Sequence, residues 1–249
     1  MGQRSALITG GSAGIGFAIA QALVREGWAV TLAARDPDKL AAAAASLDAS
    51  EVNTVAVNLA KDDAVDVAIG AHLDRFGGLD LLVNNAGMGS VGSIGDKPAK
   101  ALDLELAINF RSAYLMIQAA IPALRRAAAE RGKAHIINVS SLVALVNPPN
   151  GSVYAATKAA LVSLSRSAHA ELSRHGIHVT ALLPGFVDTP GTAWTGPSVR
   201  DQMLPASDMA EAVLFLLRTS ARCFVPEIIM TNAGPSIYHS LVDWDSAAT

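Results

Sequence analysis

The sequence is poor in cysteine and in charge, and each shortage excludes a class of protein. The one cysteine, Cys223, has no partner for an internal disulfide, so the fold does not depend on an oxidising compartment. Charged residues make up 16% of the 249 and the net charge is −3, which is not the basic excess of a nucleic-acid-binding surface. No apolar run reaches the ~18 residues of a membrane span, and the N-terminus lacks the apolar core of a signal peptide. We therefore expect a cytoplasmic protein with neither a membrane nor a nucleic acid as partner.

The six histidines also lack the spacing of a metal-binding motif, so we expect no metal site. Apolar material, in contrast, is abundant, at 51% of the chain. Short apolar runs alternate with helical patterns, and seven of the runs are predicted as strands: 6–9, 29–33, 52–57, 79–83, 135–139, 177–183 and 224–230. Strands interleaved with helices are typical of α/β proteins with a doubly wound, Rossmann-type parallel sheet and helices on both faces. Because no repeat, linker or charge run divides the chain, we expect residues 1–249 to form a single domain.

Two long helical stretches stand out, at 98–131 and 154–175. Pro122 lies inside the first of them. Because proline lacks a backbone N–H and its ring crowds the preceding turn, we expect a kink or a break there.

The first predicted strand ends in a glycine-rich turn, Thr9-Gly10-Gly11-Ser12-Ala13-Gly14-Ile15-Gly16, which opens a helix. Glycines at such a turn let the backbone approach a pyrophosphate, and the helix N-terminus offers free N–H groups and the positive end of its dipole. The turn therefore predicts a dinucleotide site. The alternative is an ordinary tight turn.

The second predicted strand ends without the carboxylate that commonly holds the ribose hydroxyls of NAD(H). Arg35 stands there instead, and its guanidinium could pair with the 2′-phosphate of NADP(H), with Ser12 adding a hydroxyl. This favours NADP(H) over NAD(H). The alternative is a solvated arginine next to Asp36 or Asp38.

Tyr154 and Lys158 stand four residues apart, on one face of the second long helix. A free tyrosine titrates near pH 10 and is a sluggish base at neutral pH, whereas a nearby cation favours the phenolate. The pair therefore predicts proton transfer. Polar residues and glycines also end strands four, five and six, at 84–87, 138–141 and 184–185, at the sheet edge that carries the glycine turn.

Together these motifs resemble the short-chain dehydrogenase/reductase family in its form of about 250 residues, which pairs TGxxxGIG (9–16) with NNAG (84–87), YxxxK (154–158) and PG (184–185). The resemblance implies a carbonyl–alcohol oxidoreductase in which Tyr154 donates or accepts the proton. Lys158 would lower the Tyr154 pKa and hold the nicotinamide ribose. Ser141, thirteen residues before the tyrosine, would hydrogen-bond the substrate oxygen, and Asn109 would hold a water that relays protons to Lys158.

The resemblance also implies a set of cofactor contacts, in which Thr189 would reach the nicotinamide carboxamide. Two segments depart from the family pattern. Asn58 stands where an aspartate is usual, and 230–234 lacks the usual DGG-like ending, which we expect to touch oligomer contacts or C-terminal packing more than chemistry. The predicted contacts are Gly10, Ser12, Ala13, Gly14, Ile15, Gly16, Arg35, Asn58, Leu59, Asn85, Ala86, Gly87, Tyr154, Lys158, Pro184, Gly185, Val187 and Thr189.

The substrate pocket is expected between 89–94, 141–151, 186–187 and 190–205, the last segment acting as a mobile lid that carries Trp194. Leu142, Val143, Leu145, Val146 and Phe186 make these segments mostly apolar, which favours a neutral, fairly hydrophobic ketone or secondary alcohol.

Two other functions compete with this one. The first is a 3-oxoacyl-thioester reductase, whose acyl carrier would need a basic surface, with Arg111, Arg125, Arg126 and Arg131 as candidates. The second is a non-enzymatic, cofactor-binding regulator. For any of the three functions the resemblance implies a homo-oligomer, a tetramer or a dimer joined through the two long helices.

Overall fold

Nine strands occur in the part of the chain that the computed structural model describes, residues 2–47, 50–195 and 197–233. They are β1 (Ser5–Thr9), β2 (Ala29–Ala34), β3 (Val52–Ala56), β4 (Leu81–Asn84), β5 (Ala134–Val139), β6 (Ile177–Pro184), β7 (Val187–Asp188), β8 (Leu204–Pro205) and β9 (Glu227–Met230). Seven of them form one sheet in the order β3-β2-β1-β4-β5-β6-β9, while β7 and β8 pair separately. Every pairing is parallel, which confirms the predicted doubly wound sheet.

The strand order reverses between β1 and β4. The chain first builds outward through β2 and β3, then returns to place β4 on the other side of β1, with Ile8 beside Val83. In open parallel sheets this reversal leaves a crevice beyond the carboxyl ends of the two strands, where ligands bind. The glycine turn follows β1 and the segment 85–87 follows β4, so both flank the crevice.

Nine α-helices connect the strands in the described residues: α1 (Gly14–Arg25), α2 (Pro37–Ser46), α3 (Ala64–Phe76), α4 (Ala99–Leu106), α5 (Ser112–Arg131), α6 (Val143–Val146), α7 (Ser152–Leu172), α8 (Pro197–Arg200) and α9 (Ala206–Arg218). A π-helical turn, Ala107–Arg111, joins α4 to α5, and 3₁₀ turns lie at Ser173–His175 and Pro190–Thr195. None of these described helices combines the length and the apolar content needed to cross a bilayer.

The core lies in two layers, one on each face of the sheet. Leu7 of β1 packs into the layer formed with α3, α5 and α7, whereas Ala6 and Ile8 point to the opposite layer, with α1, α2 and α9. Successive side chains of a strand face opposite ways, so a strand buried on both faces is apolar throughout. This explains why the central strands are mostly apolar, with a few buried polar residues such as Thr31 and His135 among them.

The break or kink that the sequence predicts at Pro122 is not where the helical stretch is interrupted. α5 is a single helix of 20 residues that runs through Pro122, and the irregular turn lies before it, at Ala107–Arg111. Pro122 removes one intrahelical hydrogen bond, but Ala120, Ala123 and Leu124 around it are buried against the sheet. This packing of the adjacent residues holds the helix on both sides of the proline.

Candidate active site

The glycine turn brings the start of α1 against the end of β4. Gly10 and Gly14 have positive φ angles of 64° and 55°, which glycine adopts at little cost. A Cβ on Gly16 would lie 2.5 Å from both the Asn85 Nδ2 and the Gly10 carbonyl oxygen, so only glycine lets the helix sit this close. The Asn85 amide in turn donates to the carbonyl oxygens of Thr9 (2.9 Å) and Gly10 (3.1 Å) and fixes the turn.

A groove runs from this turn along the carboxyl edge of the sheet to Tyr154 and Lys158. The glycines that line it leave room for the backbone to approach a pyrophosphate. Thirteen of the eighteen predicted cofactor contacts line it: Gly10, Ala13, Gly14, Ile15, Asn85, Ala86, Gly87, Tyr154, Lys158, Pro184, Gly185, Val187 and Thr189. Ser12, Gly16, Arg35, Asn58 and Leu59 are not among the lining residues. Gly16 instead lies beneath the turn, and the Leu59 side chain packs in the core, where it offers no polar contact.

Arg35 is exposed directly after β2, and no side chain in the described ranges pairs with it. The neighbouring Asp36, one of its two expected partners, caps α2 by accepting from the backbone N–H of Asp38 and Lys39, both at 3.1 Å. The guanidinium is therefore available to an anion. Asn58, two residues after the end of β3, accepts from the N–H of Ala60 at 3.2 Å, so one lone pair of its side-chain oxygen is already used.

The residues predicted to transfer the proton meet at the far end of the groove. Ser141 follows β5 and its hydroxyl is hydrogen-bonded to the Tyr154 phenol, which α7 presents. One turn further along α7, the Lys158 Nζ donates to the Val139 carbonyl oxygen at 2.8 Å and lies 5.7 Å from the Tyr154 ring centroid. Ser140, the neighbour of Ser141, has a different contact, because its hydroxyl donates to the Lys158 carbonyl oxygen at 2.8 Å.

Burial shifts the pKa values of Tyr154 and Lys158 in opposite directions. Desolvation raises the pKa of Tyr154, and the hydrogen bond from Ser141 partly offsets that rise. Burial lowers the pKa of Lys158 from 10.5 to about 8. The hydrogen bond from Ser141 acts to lower the Tyr154 pKa in the structure, and the lowering by Lys158 that the resemblance implies stays a prediction. Lys158 lies beside the ring and its ammonium bonds the backbone.

Asn109 lies in the π-helical turn, and its side chain makes three hydrogen bonds. Its Oδ1 accepts from the Met88 N–H at 2.8 Å, and its Nδ2 donates to the Met88 carbonyl oxygen at 2.7 Å and to the Thr157 hydroxyl at 2.9 Å. The side chain therefore ties the segment after β4 to α7. The water relay through Asn109 stays a prediction.

A pocket of about 220 Å³ adjoins the groove at Tyr154. The predicted wall segments contribute to it, but Leu145 packs instead in a small core cluster with Val162 and Leu183, and Ile94 is 83% exposed. Thr231 and Asn232, in the segment 230–234, also line the pocket, a position that the sequence analysis did not predict. They follow β9 at the same carboxyl edge as the other site residues, which is a signal that the sequence offered. The lining residues are Gly89, Ser90, Val91, Ser141, Leu142, Val143, Val146, Gly151, Tyr154, Gly185, Phe186, Gly191, Thr192, Trp194, Thr231 and Asn232.

Local contacts hold the described residues of the expected lid, 190–195 and 197–205. Thr192 and Trp194 line the pocket from it, the Arg200 Nη2 pairs with Asp188 at 2.6 Å, and the Leu204 N–H donates to the Phe186 carbonyl oxygen at 2.9 Å. That this segment acts as a mobile lid stays a prediction. No three histidine, cysteine or carboxylate side chains in the described part of the chain meet to hold a metal.

A doubly wound sheet with a dinucleotide groove that ends at a serine, a tyrosine and a lysine defines a nicotinamide-dependent oxidoreductase. Residues 4–198 match the family model for short chain dehydrogenases. The chain belongs to the short-chain dehydrogenase/reductase family.

Relatives and solved structures agree with this assignment. The chain is 35% identical to an uncharacterized oxidoreductase of Staphylococcus aureus strain MW2, over 90% of this chain and 94% of that protein. It is similar to the 3-ketoacyl-(acyl-carrier-protein) reductase of Brucella melitensis complexed with NADH, at a TM-score of 0.86 and 30% identity over 92% and 97% of the two chains. The L-sorbose reductase of Gluconobacter frateurii, complexed with NADPH and L-sorbose, matches at 0.84 and 28%, over 93% and 96%. Relatives of this chain thus bind either form of the nicotinamide cofactor.

Proposed function

We propose that this oxidoreductase interconverts a ketone and a secondary alcohol with NADP(H), and that Tyr154 is the general acid and base. The observation that carries the proposal is the place of Tyr154 and Ser141, which line both the dinucleotide groove and the apolar pocket. A carbonyl held in the pocket would meet the two hydroxyls at the point where the nicotinamide end of a cofactor would lie.

The proton steps follow from this arrangement. A nicotinamide cofactor, when bound, supplies or accepts the hydride. In reduction the Ser141 hydroxyl donates a hydrogen bond to the substrate oxygen while the Tyr154 phenol gives it a proton. In oxidation the phenolate takes the alcohol proton. Lys158 holds positive charge beside the ring, which favours the phenolate during the step.

Arg35 supports the choice of NADP(H). It stands at the end of β2, is exposed and has no partner in the described residues, and a guanidinium pairs well with a phosphate. Asn58 and Leu59 would lie on the adenine side, with Ser12 near the 2′-phosphate.

The substrate is proposed to be neutral and fairly hydrophobic. Val91, Leu142, Val143, Phe186 and Trp194 line the pocket, and no lysine or arginine is among its described lining residues. Such a wall binds apolar groups by burial and leaves the orientation of the substrate to the hydroxyls of Ser141 and Tyr154.

A panel of ketones, keto-esters and acyl thioesters, read by NADPH absorbance, tests the proposal. Tyr154→Phe is expected to lower kcat by about 10²–10⁴-fold, the usual contribution of a general acid, while NADPH still binds. Tyr114→Phe is the matched control, because Tyr114 is 47% exposed on α5, outside both cavities. If Tyr154→Phe turns over substrate as fast as the wild-type protein, the role assigned to Tyr154 is contradicted. If the wild-type protein binds NADPH but turns over no substrate, a cofactor-binding regulator is favoured.

A 3-oxoacyl-thioester reductase is the second candidate, favoured by the similarity to the Brucella enzyme. The four arginines considered for the basic surface that it needs lend it little support. Arg126 and Arg131 line a cavity at the opposite edge of the sheet. Arg125 lies near His175 at that edge, where its charge helps to lower the His175 pKa. Arg111 pairs with Asp62 at 2.8 Å. The acyl-thioester arm of the panel decides between the two substrates.

We further propose one domain over residues 1–249, a cytoplasmic location and a homodimer or homotetramer joined through the two long helices. Leu102 and Leu106 of α4 and Tyr114 of α5 are 39–47% exposed, which supports an apolar contact on this side. Light scattering at several protein concentrations measures the assembly. Residues 234–249 lie outside the described residues.

A further inference from the structure

A buried ion pair lies beside the active site without belonging to the predicted catalytic set. Glu105 of α4 is fully buried and its Oε1 lies 2.7 Å from the Lys97 Nζ, whose side chain is 5% exposed. The same Oε1 accepts from the Ser90 hydroxyl at 2.6 Å, and the Lys97 Nζ donates to the Ser90 carbonyl oxygen at 2.9 Å. Side chain and backbone of Ser90 are thus held by one pair of charges.

Residues 88–90, which we call the 88–90 strip, contact the Tyr154 ring through Gly89. A Cβ on Gly89 would lie 3.0 Å from the Cγ and Cδ2 of Tyr154, so strip and ring are in direct contact. Met88 is held by Asn109, and Ser90 is held by Glu105, one helical turn earlier on the same face. The strip is therefore fixed on both sides of the glycine that touches the ring.

Stability alone explains this pair poorly. A buried ion pair is often no better than apolar residues of similar volume, because both charges lose their hydration. The Glu105 Oε2 has no hydrogen-bond partner among the described residues, which adds to that cost. A costly pair that clamps a wall of both the groove and the pocket points to a role at the site.

We propose that Glu105 and Lys97 are positioning residues that hold the 88–90 strip against Tyr154 and thereby fix the phenol relative to the substrate, an inference that rests on the proposed role of Tyr154. Ser90 lines the substrate pocket, and Gly89 lines both the pocket and the groove. A shift of the strip would therefore change the position of the substrate as well as that of the Tyr154 ring. The charge of Glu105 also acts on the phenol directly, raising the pKa of Tyr154, although burial is the largest cause of that rise.

The double variant Lys97→Met and Glu105→Leu removes the clamp but keeps apolar volume in its place. We expect it to fold with a similar Tm while kcat/KM for the ketone falls roughly ten- to a hundredfold, as small misplacements of reacting groups do. Glu105→Gln keeps a hydrogen-bond acceptor for Ser90 and removes the negative charge. It should retain more of kcat/KM than the double variant and shift the pH profile of alcohol oxidation to lower pH, because the Tyr154 pKa falls. Unchanged kcat/KM in the double variant together with an unchanged profile in Glu105→Gln overturns the proposal.

Arg131→Met is the matched control for loss of an ion pair. Arg131 pairs with Asp80 at 2.6 Å, with both side chains largely buried, at the opposite edge of the sheet. We expect it to lower Tm and to leave the pH profile of the folded enzyme in place. If Arg131→Met and Glu105→Gln change the pH profile of alcohol oxidation equally, the ion pair of Glu105 and Lys97 has only a structural role.

Ring signals of ¹³C-labelled tyrosine give a readout that needs no turnover. The chain has three tyrosines, so the Tyr154 signal is assigned by Tyr154→Phe. Loss of the clamp is expected to shift or broaden this signal and to leave that of Tyr114 unchanged, and an unmoved Tyr154 signal in the double variant refutes the clamp. If the wild-type protein reduces no ketone, the proposed function is contradicted. The clamp is still tested in that case, because the tyrosine ring signals do not depend on turnover.

Discussion

At the scale of single residues, burial gives the site an acid and a cation suited to neutral pH. Tyr154 stays protonated because its pKa is raised, so the phenol is ready to give a proton to a carbonyl. Lys158, with a pKa lowered to about 8, carries its charge through the neutral range and loses it in mildly alkaline solution. Ser141 supplies the hydrogen bond that favours the phenolate when the reaction runs toward oxidation.

Arg35 gives a prediction about the cofactor. Arg35→Asp removes the guanidinium proposed to pair with the 2′-phosphate and places a carboxylate near the ribose. The KM for NADPH should rise at least tenfold, since a charge-assisted hydrogen bond contributes about 1.5–3 kcal/mol, while the KM for NADH stays level or falls. Steady-state kinetics with both cofactors measure this.

Arg25→Ala serves as the control for Arg35, because Arg25 is an exposed arginine at the other end of α1. It should change neither KM. Equal losses for NADPH and NADH in Arg35→Asp exclude the 2′-phosphate contact.

At the scale of elements, the turn from β1 into α1 depends on close approach. Gly16→Ala places a methyl group 2.5 Å from Asn85 and from the Gly10 backbone, so the turn must move. We expect a loss of about 1–3 kcal/mol in the free energy of unfolding, as in other overpacked sites, together with weaker NADPH binding. Urea unfolding and fluorescence titration measure the two effects.

The control for this change is Gly70→Ala, in the middle of α3. A Cβ there meets no atom within 4 Å, and alanine is the better helix former. It should raise the free energy of unfolding by about 0.4–1 kcal/mol and leave NADPH binding as it is. If both alanine variants lose stability, the close contact at Gly16 is not the cause.

α5 gives a second prediction at this scale. Pro122 is exposed within a helix that continues on both sides of it. Pro122→Ala restores the backbone N–H and removes the ring that crowds the preceding turn, so the free energy of unfolding should rise by about 1–2 kcal/mol, part of the gain being offset by a more flexible unfolded chain. Urea unfolding at pH 7.5 measures it. A drop in stability means that the proline ring has a packing role that the helix needs.

At the scale of the whole molecule, buried histidines link stability to pH. Burial lowers the pKa of His72 to about 4 and that of His135 to about 3. His72 donates from Nε2 to the Gly78 carbonyl oxygen at 2.9 Å, which leaves Nδ1 to accept from the Thr31 hydroxyl at 2.8 Å. Both ring nitrogens of the neutral form are thus satisfied, and a second proton breaks the arrangement.

The unfolded chain takes up these protons near pH 6.5, before the folded protein does, so stability is full above pH 6.5 and falls as pH drops toward the folded pKa values. Between pH 7.5 and 5 we expect each histidine to cost about 2 kcal/mol of the free energy of unfolding. Urea unfolding at the two pH values measures the loss.

His135→Leu tests the contribution of one of these histidines. Neither ring nitrogen of His135 has a hydrogen-bond partner in the described residues, so leucine forfeits no such bond and should reduce the pH dependence by one proton. An unchanged pH dependence in this variant shows that His135 is already protonated or solvated in the folded protein.

Much of the architecture follows from local patterns. Seven apolar runs, the glycine turn and the Tyr154–Lys158 spacing were enough to predict the doubly wound sheet and the edge at which the site lies. These features repeat with a period of two or of about 3.6 residues, or stand at the junction of strand and helix, so short stretches of sequence determine them. The family resemblance then placed Ser141 and Asn109.

Only the tertiary structure decided which distant segments meet. The helix interruption at Ala107–Arg111 and the intact helix at Pro122 depend on packing from other elements, which local propensity does not contain. Thr231 and Asn232 reach the pocket because β9 lies beside β6, and Glu105 is buried because α4 folds over Ser90 and Lys97. The sequence alone determined that a tyrosine and a lysine share a helix face; the fold determined that Ser141 touches the tyrosine, because desolvation and contact arise only when separate strands and helices close around one site.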